Sequence, residues 1–206
     1  MITDKGFSSK QILFFLCGFV FLGLLAINIT SLDDIWSSPK FLAFFFAMIV
    51  TGIFGIIGNW TDFEGIKTAP NPGYPVAIRN TSILPITLLS VLLFNNSFSF
   101  LKFLGVIVII FGIILLIINK KNDASEKSKF SRWYLFSFLA LFSFTIAVLV
   151  LKKATLFADF SSKEINLFSF GLNFLGFAII SRKELKSYFQ DKIKLKTFLP
   201  LIVAAS

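Results

Sequence analysis

Six apolar runs of membrane-spanning length follow one another along this chain, at 11–29, 41–60, 75–94, 100–119, 133–151 and 165–181, each bounded by charges or by Gly/Pro clusters. A bilayer hydrocarbon core about 30 Å thick takes roughly 20 apolar residues per helix. The runs predict an all-α, polytopic transmembrane helix bundle of about six to seven helices. A seventh run opens near Phe198 and stops at Ser206, about half a bilayer long. That half-length run raises the expectation of a truncated sequence that a longer protein would complete. Hydrophobic residues make up 56% of the 206 and charged ones 15%, with a mean hydropathy of +0.83, so six or seven spans leave no room for a soluble catalytic domain. The first run lacks a small-x-small cleavage site after Leu25-Ala26-Ile27, and it reads as a retained helix rather than a secretory signal.

The charges divide unevenly between the gaps. Lys and Arg total 20 against 11 Asp and Glu, a net charge of +9. Fifteen of the basic residues fall before the first run, around the second-to-third turn, after the fourth run and after the sixth; the other five, Lys40, Lys102, Lys152, Lys153 and Lys163, fall on the opposite side. The positive-inside bias then predicts that the amino terminus and the 120–132 stretch face the cytoplasm. In this setting the basic surplus suits anionic headgroups and excludes nucleic acid as the expected partner. The polar stretch KKNDASEKSKFSR at 120–132 divides the chain into two hydrophobic blocks, 1–119 and 133–206, and Trp133 and Tyr134 at its far end suit an interfacial belt.

Composition also removes chemistries. With no His in the sequence, imidazole zinc sites and serine–histidine catalysis are excluded. Cys17 is the single cysteine and lies within an apolar run, so no intrachain disulfide can form. No GxxxxGK[ST] loop is present, so the sequence encodes no nucleotide-driven motor of that kind. A membrane-embedded enzyme would have only Asp, Glu, Ser, Lys and Tyr to work with, in no recognisable pairing; the chain is expected not to be an enzyme.

The polar residues that interrupt the apolar pattern are few. On a helix Thr51, Gly55, Gly58, Asn59 and Asp62 fall at i, i+4, i+7, i+8 and i+11, in one narrow stripe. The stripe reads either as a small-residue packing seam with Asp62 and Glu64 beyond the hydrocarbon, or as the lining of a substrate or proton path, because acids at membrane depth are costly without a role. In the next run Arg79, Ser82, Ile86 and Ser90 lie close to one face. Arg79 either snorkels to the headgroups or faces a cavity, available to an anionic substrate or paired with Asp62 or Glu64. Pro85 in mid-run removes a backbone hydrogen bond and invites a kink. Gly105 and Gly112, at i and i+7, are expected to serve close helix packing, Asn166 and Asn173 to hydrogen-bond between helices, Lys152 and Lys153 to anchor a helix end, and the 29 Phe to face lipid.

The stretch 65–116 resembles the end of an EamA-type domain of the drug/metabolite transporter superfamily. Gly65 and Lys67 stand near a helix end, followed by the turn NPGYP at 71–75, a helix with central Pro85, the turn NNSFS at 95–99, and a helix bearing Gly105 and Gly112. The block opening at Trp133, ending in Lys152 and Lys153, is similar to the first helix of a second such repeat. Asn95 and Asn96 stand where that family usually has Gly-Glu, and four helices before the linker stand where it has five. The resemblance implies EamA-like repeats, a first one over 1–119 and an incomplete second over 133–206. It further implies a secondary transporter moving a small metabolite or drug-like molecule across the cytoplasmic membrane by alternating access, with substrate between inverted repeats. Uphill movement would draw on a proton or ion gradient, or on exchange; no cofactor is expected, and a homo-oligomer is an open option. Asn59, Asp62, Glu64, Arg79 and Ser82 are the candidate path residues. The alternative expectation is a non-transporting membrane subunit or a remnant of such a transporter.

Overall fold

The computed structural model describes residues 8–28, 38–95, 100–118, 132–158 and 160–190, and among the described residues every regular element is a helix. In chain order these are α1 (Ser9–Asn28), α2 (Phe41–Thr68), α3 (Gly73–Asn80), α4 (Ile83–Phe94), α5 (Phe100–Ile118), α6 (Arg132–Ala158), α7 (Ser162–Ile180) and α8 (Arg182–Gln190). Five stretches are long and apolar enough to cross a membrane: α1, α2, α3 with α4, α6 and α7. Between them α5 adds 19 residues in which Lys102 is the lone charge. The protein is a membrane-embedded, all-α helical bundle. The run from Phe198, the turn residues 96–99 and most of the 120–132 linker lie outside the described residues.

Local chemistry explains where the helices stop. At the α2–α3 turn, Asn71 accepts a hydrogen bond from the Gly73 backbone N–H through its side-chain oxygen at 2.8 Å, the Asx geometry that favours a turn over further helix. The carboxyl end of α4 is set by Asn95, whose φ of 50° is the left-handed conformation that terminates helices and that Asn tolerates better than most residues. A capping box opens α7: the Ser161 hydroxyl accepts from the Glu164 N–H, and the Glu164 carboxylate accepts from the Ser161 N–H at 2.7 Å.

Expected boundaries shift most at three helices. α6, expected over 133–151, continues to Ala158. The second run was expected to end near residue 60, but α2 continues for 28 residues to Thr68, about 42 Å at 1.5 Å per residue, which carries Asp62 and Glu64 inside the helix rather than past its end. The third run is broken. Pro85 has no N–H to give the Thr81 carbonyl, and that carbonyl accepts instead from Leu84 at 2.9 Å, tightening the turn at Thr81 and Ser82 and separating α3 from α4. Pro85 therefore breaks the helix one turn upstream of itself.

The helices pack in a row rather than in two separate blocks. α1 lies on α7, α7 on α2, α2 most extensively on α6, and α6 on α3 and α4, while α5 touches the rest lightly. The interfaces thus run mostly between the segments before the linker and those after it. Neighbours α2 and α7 run parallel, as Phe44 meets Phe160 and Asn59 meets Asn173, whereas α2 and α6 run antiparallel, as Gly58 meets Phe144 and Gly65 meets Ser137. One end of the bundle collects the start of α1, the α2–α3 turn, the start of α6 and the start of α8: Tyr74 stacks on Trp133 with ring centroids 6.0 Å apart, and Ser8 hydrogen-bonds Glu184. These are the gaps that hold most of the basic residues.

Phenylalanine serves two purposes, which corrects the expectation that it faces lipid throughout. Phe19, Phe46, Phe100, Phe111 and Phe142 are exposed on the apolar outside, but Phe44 and Phe177 are fully buried. Phe174 of α7 fills the notch at Gly18 of α1, and Phe21 of α1 fills the notch at Gly171 of α7. This reciprocal arrangement fastens α1 to α7, because ring burial at a glycine contact maximises dispersion in an apolar solvent where no hydrophobic force drives helices together.

Candidate functional site

The central helix α2 decides which polar groups meet. The stripe expected to be single divides between two neighbours. Gly52 and Gly55 face α7, where a Cβ would stand 3.0 Å from Leu172 Cβ and 3.0 Å from the Asn173 amide. Gly58 and Gly65 face α6, against the Phe144 ring and Ser137. Between Gly58 and Gly65 two residues of α2 are buried, Thr61 and Asp62, and Asp62 carries the charge.

Asp62 is buried and pairs with Arg79 of α3, Nη1 to Oδ2, at 2.6 Å. The close approach at Gly65, 3.3 Å to Ser137 Oγ and 3.5 Å to Pro75 Cβ for an added methyl carbon, brings α3 and α6 over the carboxylate. Only 6% of the Asp62 side chain is exposed, against 33% for Arg79, so the acid is enclosed while the guanidinium keeps an open side. The contact uses one carboxylate oxygen. Asp62 Oδ1 is buried and accepts no hydrogen bond, although Arg79 presents a fork able to bind both oxygens of a carboxylate. Nη2 of Arg79 reaches Asn80 Oδ1 at 3.4 Å instead. The pair lies six residues before the end of α2, about 9 Å along the helix from the turn.

The remaining candidates are placed apart from this pair. Asn59 turns to α7: its Nδ2 donates to Gly55 O at 2.8 Å and lies 3.5 Å from Asn173 Oδ1, while Asn173 Nδ2 donates to Ser169 O at 2.7 Å. Asn173 therefore meets the interhelical expectation, but Asn166 is exposed. Glu64 is half-buried on another face of α2, two residues and about 200° round from Asp62. Ser82 sits half-buried in the break between α3 and α4, and its hydroxyl makes no capping bond to α4. Of the five residues read from the sequence, Asp62 and Arg79 come together.

Two polar features lay beyond the sequence reading. At the start of α1, Glu184 of α8 accepts from Ser8 Oγ, its backbone carbonyl accepts from Gln11 Nε2 at 3.1 Å, and its carboxylate lies 3.7 Å from Lys10 Nζ. The signal available was the alternation of Leu185 with charges in RKELKSYFQ, a short amphipathic helix. The second is Lys152, expected at a helix end, which stands inside α6 with Nζ 5.2 Å from the Phe94 ring centroid, a cation–π contact tying α6 to α4. Gly105 and Gly112, expected to pack closely, face open space on α5.

No family model, curated protein or solved structure matches this chain.

Proposed function

We propose that this chain is an EamA-like secondary transporter of the cell membrane, moving a small metabolite or drug-like molecule by alternating access, with the Asp62–Arg79 pair in its path. The observation that carries this reading is a charged pair inside a helical bundle with one oxygen left without a donor. A buried ion pair is a poor way to stabilise a fold, because desolvation offsets most of the attraction and apolar residues of the same volume do as well. Its presence between membrane helices points to function. The broken α3–α4 span supports the same reading, since a helix interrupted beside a charged group is the place where backbone and side-chain polar atoms are offered to a ligand. The basic end of the bundle, with the α2–α3 turn and the starts of α1 and α6, then faces the cytoplasm. The driving force is an ion or proton gradient, or exchange.

The experiment is reconstitution in vesicles loaded with a metabolite extract, with release followed by mass spectrometry. Particular compounds should leave faster than from protein-free vesicles, and Arg79→Gln should abolish the difference while the protein stays folded. Release indistinguishable from that of protein-free vesicles overturns the proposal.

One observation favours a second reading, a non-transporting subunit that packs with another membrane protein. Along α5, Phe100, Leu101, Val108 and Phe111 are exposed beside the open Gly105 and Gly112. Such a helix offers a surface for a partner as well as for lipid.

A further inference from the structure

Asp62 and Arg79 form an ion pair that is left half made, and its two halves point in different directions. The enclosed half is Asp62 Oδ1, without a donor; the open half is the guanidinium, a third exposed, with Nη1 on Oδ2 and Nη2 on the neighbouring Asn80. We infer that the site exchanges its internal counter-ion for an external one: a carboxylate- or phosphate-bearing anion binds Arg79 as Asp62 leaves it, and Asp62 takes up one proton on Oδ1. The inference rests on the transporter reading and adds substrate class and coupling ion to it.

Charge balance is what makes the exchange feasible in a low-dielectric place. Before it, Asp62 is negative and Arg79 positive, and the site is neutral. Removing Asp62 from Arg79 with no compensation would leave a bare buried carboxylate, which costs several kcal/mol in any protein interior. A proton from solution forms the O–H bond on Oδ1, the Nη1–H···Oδ2 bond breaks, and Nη1–H donates to the anion. Afterwards Asp62 is neutral and Arg79 balances a single negative charge on the anion, so the site is neutral again. One anion enters with one proton. Arginine suits the exchange because its planar fork binds carboxylate and phosphate oxygens two at a time, which the present single-oxygen contact with Asp62 does not use. The other titratable groups on the elements around the carboxylate are Glu64 and Lys67 on α2, Tyr74 on α3, and Arg132, Tyr134, Lys152 and Lys153 on α6; among the described residues Arg79 is the one in ion-pair contact with it. Between Phe144 and Ser137, the α6 residues at Gly58 and Gly65, the buried positions of α6 are Ala140, Leu141 and Ser143, none of them charged.

The test reads binding and protonation directly, without requiring transport. Purified protein in lipid nanodiscs is titrated with gluconate, pyruvate and dimethyl phosphate, each carrying a single negative charge and not titrating near neutral pH, in weakly buffered solution. Proton uptake is followed with a dye and the carboxylic-acid carbonyl band by infrared difference spectroscopy. At least one of the three should bind with one proton taken up per anion, a new carboxylic-acid band, and affinity rising about tenfold per unit fall in pH. Asp62→Asn should bind the anion with no band, no uptake and no pH dependence; Arg79→Gln should lose binding at least about tenfold. Lys67→Gln, which removes an exposed charge at the same end of the bundle, should bind like the unaltered protein. Binding without proton uptake, a band that persists in Asp62→Asn, or no binding of any of the three anions overturns the inference. Coupled binding with no release from loaded vesicles would instead leave the site intact and remove the transporter reading. Release of neutral or cationic compounds without proton uptake would do the reverse.

Discussion

α2 and α5 are made of nearly the same material and have opposite surroundings. Both are apolar helices with glycines three or seven residues apart, yet every glycine of α2 lies against another helix and both glycines of α5 face open space. The difference lies in the neighbours. Opposite the glycines of α2 stand Leu172, Asn173, Phe144 and Ser137, side chains that enter the notches and make dispersion contacts lipid tails would not hold in place. A small residue creates the chance of close approach; a complementary large residue on a second helix turns it into packing.

The largest effect should come from filling the notch at Gly52. A Cβ there stands 3.0 Å from Leu172 Cβ, an atom fixed to the α7 backbone, so a longer side chain must drive α2 and α7 apart. Gly52→Leu should cost about 3 kcal/mol or more, measured as loss of helicity or accessibility change in detergent titration. An unchanged titration would mean that α2 and α7 are not in contact at this height, and the distinction from α5 would lose its basis.

Next in size is the ion pair, where the two halves should respond unequally. Arg79→Ala leaves Asp62 enclosed and unpaired, at a cost of about 3 kcal/mol in the same titration, the low end for a buried pair because Arg79 is a third exposed. Asp62→Ala leaves Arg79, already one-third exposed, free to swing its head toward water along its long stem, and should cost less than about 1 kcal/mol. Equal losses would show that the two groups are equally enclosed.

How much of this was legible follows from the range of each signal. Span-length apolar runs are local, and they placed the helices; the i, i+4, i+7 spacing along α2 placed its buried side, and Pro85 pointed to a kink where the helix is in fact broken. What the spacing could not carry was the identity of the neighbours. Gly55 and Gly58 are three positions apart on one stripe, yet one meets α7 and the other α6, a division set by partners more than 80 residues away. For the same reason Phe174 and Phe46 look alike in sequence, although one fills a glycine notch and the other is exposed. The Asp62–Arg79 pair stood among the alternatives because the two residues are only 17 positions apart across a tight turn that brings two helix ends together; that Asp62 and not Glu64 makes it depends on where Gly65 lets α6 approach. The Ser161-x-x-Glu164 box was a readable local signal for the start of α7, three residues before the edge of its apolar run.

A smaller effect is expected at Asn173, whose amide meets Asn59 at the long distance of 3.5 Å. Hydrogen bonds between membrane helices are worth about 0.6 kcal/mol on average, since the separated helices also find partners. Asn173→Ala should cost about that much, and a double-mutant cycle with Asn59→Ala should show coupling no larger. A coupling above about 2 kcal/mol would make the α2–α7 contact polar in origin rather than a glycine seam.

The smallest effect belongs to α5, and it bears on the surface that helix offers. With nothing within 4 Å of either glycine, Gly105→Ala and Gly112→Ala add a methyl group to open space and restrict the unfolded chain. The expected change is within about 0.5 kcal/mol and on the stabilising side, with the oligomeric state in nanodiscs unchanged. Gly105→Ile is the sharper variant, because a branched side chain would obstruct any helix seated on that face while costing a lipid-exposed helix almost nothing. A loss of stability or of a dimer on Gly105→Ile would show that α5 is covered in the membrane by a second copy or a partner. In that event α2 and α5 would be alike after all, each a glycine-notched helix fitted to a neighbour, and the subunit reading would gain over a bundle that works alone.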